Sequence, residues 1–125
     1  ALAYGLVTMT DVFRPGNALT ELIGLIRSGD DWESGLVVRA FGTGAHVAKV
    51  HHACHGSLDA ARALQEALLP EWSVSHSQTS SECWVSVLRR PDRSFRPLCR
   101  GAGRPAEAWV LAVLYAVQAE RNETT

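Results

Sequence analysis

Hydrophobic positions recur with a helical period near the carboxyl end of the chain. Between Pro105 and Arg121 the apolar residues that form one stripe are Ala106, Trp109, Val110, Val113, Leu114 and Val117. This spacing is typical of an α-helix, and further apolar residues on its flanks predict a helix that is buried most of the way round. Pro105 suits the first helical turn, where its missing N–H would have no partner. We therefore expect this helix to be the packing centre of the domain.

Two earlier helices show the same period. One follows Asn17, a favourable N-cap residue, and ends at Gly29. The other runs over Leu58–Leu69, with Ser57 as its cap, and Pro70 stops it. Each helix presents leucine or isoleucine on one face, which predicts that both pack on a common core.

Two β-hairpins are predicted between the helices. Leu36–Phe41 and Ala45–His51 flank a Gly-Thr-Gly turn and predict the first hairpin. A strand that follows Trp72 and a return strand at Cys83–Arg89 predict the second. In the first of these two strands serines alternate with Val74 and apolar or aromatic neighbours, so one face is expected to meet solvent.

The predicted order is helix, hairpin, helix, hairpin, helix. It indicates an α+β fold, a small layered sandwich around one mainly antiparallel sheet of about four strands. Phe95–Leu98 could add a short edge strand, because Pro97 is tolerated at a sheet edge. We expect one domain over residues 1–125, with residues 1–14 as a mobile or added N-terminal segment.

The second half of the chain resembles the phage ABA-sandwich family, small proteins of phages and prophages. The residues that carry the resemblance are SLDAARALQEALLPEW at Ser57–Trp72, CWVSVLRR at Cys83–Arg90 and GRPAEAWVLAVLYA at Gly103–Ala116. The first half has no counterpart in the family pattern. The resemblance implies an α/β sandwich of phage or prophage origin, and it brings no catalytic residues with it.

Net charge and cysteine content indicate in which compartment the protein acts. The net charge of −1 gives no overall field that would draw the chain to nucleic acid or to a membrane. Three cysteines at irregular spacing argue against a disulfide framework and for a reducing compartment. No stretch is long and apolar enough for a signal peptide or a membrane span. We therefore expect the host-cell cytoplasm or the virion.

A cluster of arginines is the main charge feature. Six arginines lie within sixteen residues and are opposed only by Asp92: Arg89, Arg90, Arg93, Arg96, Arg100 and Arg104. Guanidinium groups bind carboxylates and phosphates in a bidentate manner. With Trp84, these arginines are the predicted binding residues, and an acidic protein surface is the expected partner. Nucleic acid is the alternative partner, although Phe95 is the one aromatic residue inside the cluster.

The densest group of metal-ligating residue types is His51, His52, Cys54 and His55. Its spacing fits no standard zinc motif, so we expect polar loop residues, with no metal and no cofactor. Pairing of Cys54 with His52 or His76 would be the alternative, a small metal- or Cys-dependent enzyme. The acidic residues around Trp32 are interpreted as a solvated turn that could meet the arginines of a second copy.

These patterns together favour a small, non-enzymatic protein of phage or prophage type that binds another protein. Its role would be virion assembly or inhibition of a host process such as defence. The partner would be a phage protein, a host protein or a second copy of the chain. No catalytic residue is predicted, because the sequence contains no phosphate loop, nucleophile elbow or paired-cysteine zinc pattern.

Overall fold

The computed structural model describes residues 15–78, 84–90, 98–102 and 104–124. Within these ranges the helices are α1 (Pro15–Ser28), α2 (Ser34–Phe41), α3 (Val47–Cys54), α4 (Leu58–Leu68) and α5 (Pro105–Thr124). The strands are β1 (Ser73–Gln78), β2 (Trp84–Arg89) and β3 (Leu98–Ala102). The predicted α+β class is confirmed. The N-terminal segment 1–14 and positions 95–97 of the predicted edge strand lie outside the described residues.

Contacts divide the chain into two compact units, with the boundary after Val47. In the first unit α1 packs against α2. Their buried residues are mainly aliphatic: Ala18, Leu19, Leu22, Ile23, Ile26, Leu36, Val37 and Ala40. The apolar stripe of α1 therefore finds its partner in the next helix along the chain.

The ends of α1 follow local chemistry. The helix begins at Pro15, so Asn17 lies in its first turn and not at the predicted cap. Gly29 has a φ of +74°, and its N–H donates to the Ile26 carbonyl at 3.1 Å. The N–H of Asp30 donates to the Leu25 carbonyl at 3.0 Å. This pair of bonds is a Schellman ending, which confirms Gly29 as the helix stop.

The first predicted hairpin is wrong, because both of its strands are helical. Leu36–Phe41 belongs to α2, and Ala45–His51 falls largely in α3. The valines favoured a strand, but the buried residues of α2 are spaced for one helix face, and Val38 between them is 40% exposed. Gly42 has a φ of +73° and donates its N–H to the Val38 carbonyl at 2.7 Å. The glycine turn is therefore a helix C-cap.

The second predicted hairpin is confirmed. β1 and β2 are antiparallel, with Ser73 opposite Arg89 and Gln78 opposite Trp84. β2 also pairs antiparallel with β3, so β2 is the central strand of a three-stranded sheet in the order β1-β2-β3. The described residues thus contain three strands. The expected sheet of about four strands, built from two hairpins, is wrong because the first predicted hairpin is helical.

One face of β2 is more buried than the other. Ser86 and Leu88 are fully buried, whereas Val85 and Val87 are only half-buried. The core-facing side of β2 is therefore the one that carries Ser86 and Leu88. Trp84 lies on the same side as Ser86 and Leu88, because side chains alternate across a strand.

α5 is the packing centre of the second unit, as expected. It packs against α4, β2 and β3. Its buried side chains run through most of its circumference: Ala106, Ala108, Trp109, Val110, Leu111, Ala112, Val113, Leu114, Ala116 and Val117. Ser57 caps the neighbouring helix α4, since its Oγ accepts the Ala60 N–H at 3.1 Å.

Candidate functional site

An open cleft of about 590 Å³ lies in the second unit, between α4, the sheet and the beginning of α5. Each element supplies a different part of the wall. The α4 wall consists of Leu58, Asp59, Arg62, Gln65 and Glu66, and the remaining wall consists of Val74, His76, Trp84, Pro105 and Trp109. The volume is within the range of small-ligand and side-chain pockets.

Helix geometry explains how α4 serves both the core and the cleft. Ala61 and Leu64 are buried in the core, while Leu58 and Arg62 lie one turn apart on the neighbouring stripe that lines the cleft. Leu58 is 48% exposed and lines the concave surface of the cleft. An exposed leucine in a concave surface offers apolar area to a ligand.

A buried glutamine fixes the floor of the cleft. The Trp109 Nε1–H donates to Gln65 Oε1 at 2.6 Å, and Gln65 Nε2 donates to the Trp72 carbonyl at 3.0 Å. Gln65 is only 8% exposed, so these bonds satisfy an amide that would otherwise be costly to bury. The indole of Trp109 is thereby held in one orientation.

His76 and Ser86 form a polar pair on the sheet wall. They are opposite one another in the β1–β2 register, and His76 Nδ1 lies 2.8 Å from Ser86 Oγ. The imidazole also contacts the Trp109 ring, with centroids 4.5 Å apart and planes tilted by 64°. Although the His76 side chain is exposed as a whole, partial desolvation by these neighbours lowers its pKa below the ordinary value.

The Ser86 hydroxyl can orient the His76 ring, but it is not placed to react with a substrate. Ser86 is 1% exposed, so a substrate could not reach its hydroxyl as it would reach a nucleophile. The hydroxyl can donate to or accept from Nδ1, and it holds the ring in place in either case. The other ring nitrogen, Nε2, takes no part in this bond. His76 can therefore offer a ligand one directed hydrogen bond within a largely apolar wall.

The described arginines of the predicted cluster lie on different elements. Arg89 is exposed at the end of β2, and Arg104 is exposed just before α5. Arg90 is half-buried, with its guanidinium carbon 5.4 Å from the centroid of the Trp72 ring. Arg100 lies in β3, opposite Ser86 in the register. Arg89, Arg90 and Arg104 do not line the cleft, and the two remaining arginines, Arg93 and Arg96, lie outside the described residues.

Trp84 is the predicted binding residue that does line the cleft. Its side chain is half-buried on β2, opposite Gln78. Trp72, another tryptophan of this unit, serves packing: its Nε1–H donates to Glu120 Oε1 at 3.1 Å. The two indoles that a ligand in the cleft would meet are therefore those of Trp84 and Trp109.

The histidine-rich stretch is helical and not a loop. His51 and His52 lie in the last turn of α3, His55 follows directly, and all three are exposed. In the part of the chain that the structure describes, no group of three or more His, Cys, Asp or Glu side chains is arranged to hold a metal ion. Cys54 is a half-buried free cysteine. The acidic residues around Trp32 are exposed between α1 and α2.

Sequence reasoning missed Gln65 and the His76–Ser86 pair. A signal existed for Gln65, because it is a polar residue between Ala61, Leu64 and Leu68 on the apolar side of its helix. The partners of these residues come from other elements, up to 44 positions away in the case of Gln65 and Trp109. Their pairing therefore depends on how helix and sheet pack, which no local pattern specifies.

Comparison with protein families, curated proteins and solved structures finds no match to this chain. The resemblance to the phage ABA-sandwich family therefore stays a prediction. Among the described helices, none has the length and apolar content needed to cross a membrane.

Proposed function

We propose that this chain is a non-enzymatic binding protein of phage or prophage type, and that it holds an apolar segment of a partner protein in the cleft between α4 and the sheet. The partner would be a phage or host protein, and the role would be virion assembly or inhibition of a host process such as defence. The resemblance of the second half supports the origin, and the cleft supports the mode of action.

The observation that carries the proposal is the apolar content of an open, concave surface. Leu58 is 48% exposed, Trp84 is half-buried, and both line the cleft beside Trp109. Tryptophans in concave, partly desolvated positions carry much of the affinity of protein interfaces. A partner side chain that fills the cleft would cover these residues, while the charged residues of α4 would form a polar rim.

Charge on the α4 wall indicates which segment fits. Asp59 and Glu66 face the cleft with one opposing cation, Arg62, so this wall carries a net charge of −1 at neutral pH. A segment with an apolar anchor next to a Lys or Arg would complement both features. His76 would add a directed hydrogen bond to the backbone or to a polar side chain of the segment.

A displayed random-peptide library tests the proposal, with the purified protein as bait. Selected peptides should share an apolar residue beside a basic one. Leu58→Asp should weaken their binding by about tenfold or more, because a carboxylate would replace the apolar contact. Isothermal titration of a synthetic selected peptide gives the dissociation constants.

Val38→Asp is the matched control. Val38 is the other exposed large hydrophobic residue of the described chain, and it lies on α2 in the first unit. The control should leave peptide affinity unchanged, and far-UV circular dichroism should show that both variants remain folded. Equal binding to the wild type and Leu58→Asp, or the absence of any selected peptide, would refute the proposal.

A further inference from the structure

We propose that His51 and His55, at the carboxyl end of α3, form a two-histidine site for a divalent transition metal of the copper or nickel class. This site lies outside the cleft and does not depend on the function proposed for it. The inference rests on helix spacing, on ring geometry and on exposure.

Helix spacing brings the two imidazoles together. Residues four apart lie on the same face of a helix, one turn above the other. The turn is intact at this end of α3, because the His55 N–H donates to the carbonyls of His51 at 3.2 Å and His52 at 3.1 Å. Both rings are exposed, so a metal can approach them.

The distance between the rings suits a shared metal. The His51 and His55 centroids are 4.4 Å apart, with the planes at 84°. With metal–nitrogen bonds of about 2.0–2.1 Å and a near-right angle at the metal, two imidazole centroids would be roughly 4.5 Å apart. The observed pair therefore already has the separation of a square-planar or tetragonal chelate. A tetrahedral zinc site would need the rings to be farther apart.

His52 provides the geometric contrast. Its ring centroid lies 5.8 Å from that of His51, and adjacent helix positions do not face one another. His52 therefore does not have the ring separation from His51 that the chelate requires, although it shares the residue type, the exposure and the location.

Two further considerations favour a cation here. The carboxyl end of a helix carries partial negative charge from its free carbonyls, which stabilises a nearby cation. Two protein ligands also leave coordination positions open, and water or a donor from a second molecule would complete them. Imidazole is a preferred ligand for copper and nickel, so the ligand type agrees with the geometry.

Titration of the purified full chain with copper(II) sulfate, in a buffer that does not chelate copper, tests the inference. The wild type should bind one equivalent, and electron paramagnetic resonance should show coupling to nitrogen ligands. His51→Ala and His55→Ala should each weaken binding by about tenfold or more, because a single imidazole remains. Exposed helix positions tolerate alanine, so both variants should stay folded.

His52→Ala and Cys54→Ser are the controls, and both should keep the wild-type affinity. Loss of binding in His52→Ala as large as in His55→Ala would overturn the inference, since it would indicate non-specific binding to exposed histidines. Loss in Cys54→Ser alone would overturn it in favour of a thiolate. Absence of stoichiometric copper binding by the wild type would also overturn it.

Discussion

Gln65 is the residue on which the cleft floor depends. It accepts the Trp109 indole N–H and donates to the Trp72 carbonyl from a nearly buried position. Each bond contributes only a modest net free energy, but loss of the amide would leave the buried indole N–H and the part-buried Trp72 carbonyl without these partners. The main effect of the Gln65 hydrogen bonds is therefore to fix the orientation of the Trp109 indole.

Gln65→Met tests this role at nearly constant volume. The variant should lower the free energy of unfolding by about 2–4 kcal/mol, because the indole N–H and the Trp72 carbonyl each lose a partner. Urea unfolding followed by tryptophan fluorescence measures the change. Glu66→Gln, on the exposed side of the same helix, should change stability by less than about 0.5 kcal/mol. Equal stability of Gln65→Met and the wild type would contradict the account.

His76 makes stability depend on pH in a defined direction. Desolvation lowers the pKa of His76 in the folded chain, so the unfolded chain binds the proton more readily. The contribution of His76 to the free energy of unfolding is therefore fully present above the ordinary histidine pKa of about 6.5. It is lost as the pH falls through the lowered folded-state pKa.

Comparison of the wild type with His76→Gln isolates this effect from Asp59, Arg62 and Glu66, which also line the cleft, and from the other histidines. Urea midpoints should fall more steeply between pH 7.5 and pH 5 in the wild type than in the variant. The difference should correspond to the coupling of unfolding to proton binding at about one group. Parallel pH profiles would show that His76 does not titrate in this way.

At the scale of elements, the first half of the chain shows how a local pattern can mislead. Val37 and Val38 with a following Gly-Thr-Gly are typical of a hairpin, yet α2 ends at Gly42 in a left-handed conformation. The spacing of Leu36, Val37 and Ala40 also fits a helix, and packing against α1 favours that choice. In short segments the two periods overlap, and tertiary contacts decide between them.

Two glycine substitutions should have opposite signs. Gly42→Ala should destabilise the chain by about 1–2 kcal/mol, because the left-handed conformation crowds a Cβ. Gly24 lies within α1, where an added Cβ meets no atom within 4 Å, so Gly24→Ala should stabilise by about 0.5–1 kcal/mol. Thermal unfolding by circular dichroism compares the two. A stabilising Gly42→Ala would mean that this turn is not the helix cap described.

The second half was predictable because its signals are local and strong. Ser57 caps α4, and the alternation of the β1 serines reports a solvent face. The run of apolar residues in α5 leaves no alternative to burial. The cleft itself could not be predicted in this way, because Trp84, Leu58 and Trp109 come from three elements whose faces meet only after packing.

At the scale of the whole molecule, the two candidate binding sites lie in separate places. The cleft lies between α4, the sheet and α5, while the exposed histidines lie at the end of α3. Arg89, Arg90 and Arg104 of the predicted cluster do not line the cleft. A partner in the cleft and a metal on α3 would therefore be independent events, and variants in one place should leave the other unaffected.

Nuclear magnetic resonance of the tryptophan indoles tests the central claim most directly. The chain has four tryptophans, which give four indole N–H signals in a ¹⁵N-labelled sample. Saturation with a peptide selected on the wild-type protein should shift the signals of Trp84 and Trp109, because both line the cleft, and should leave Trp32 in place. A saturating peptide that moves neither Trp84 nor Trp109 would contradict the proposal that this cleft is the binding site.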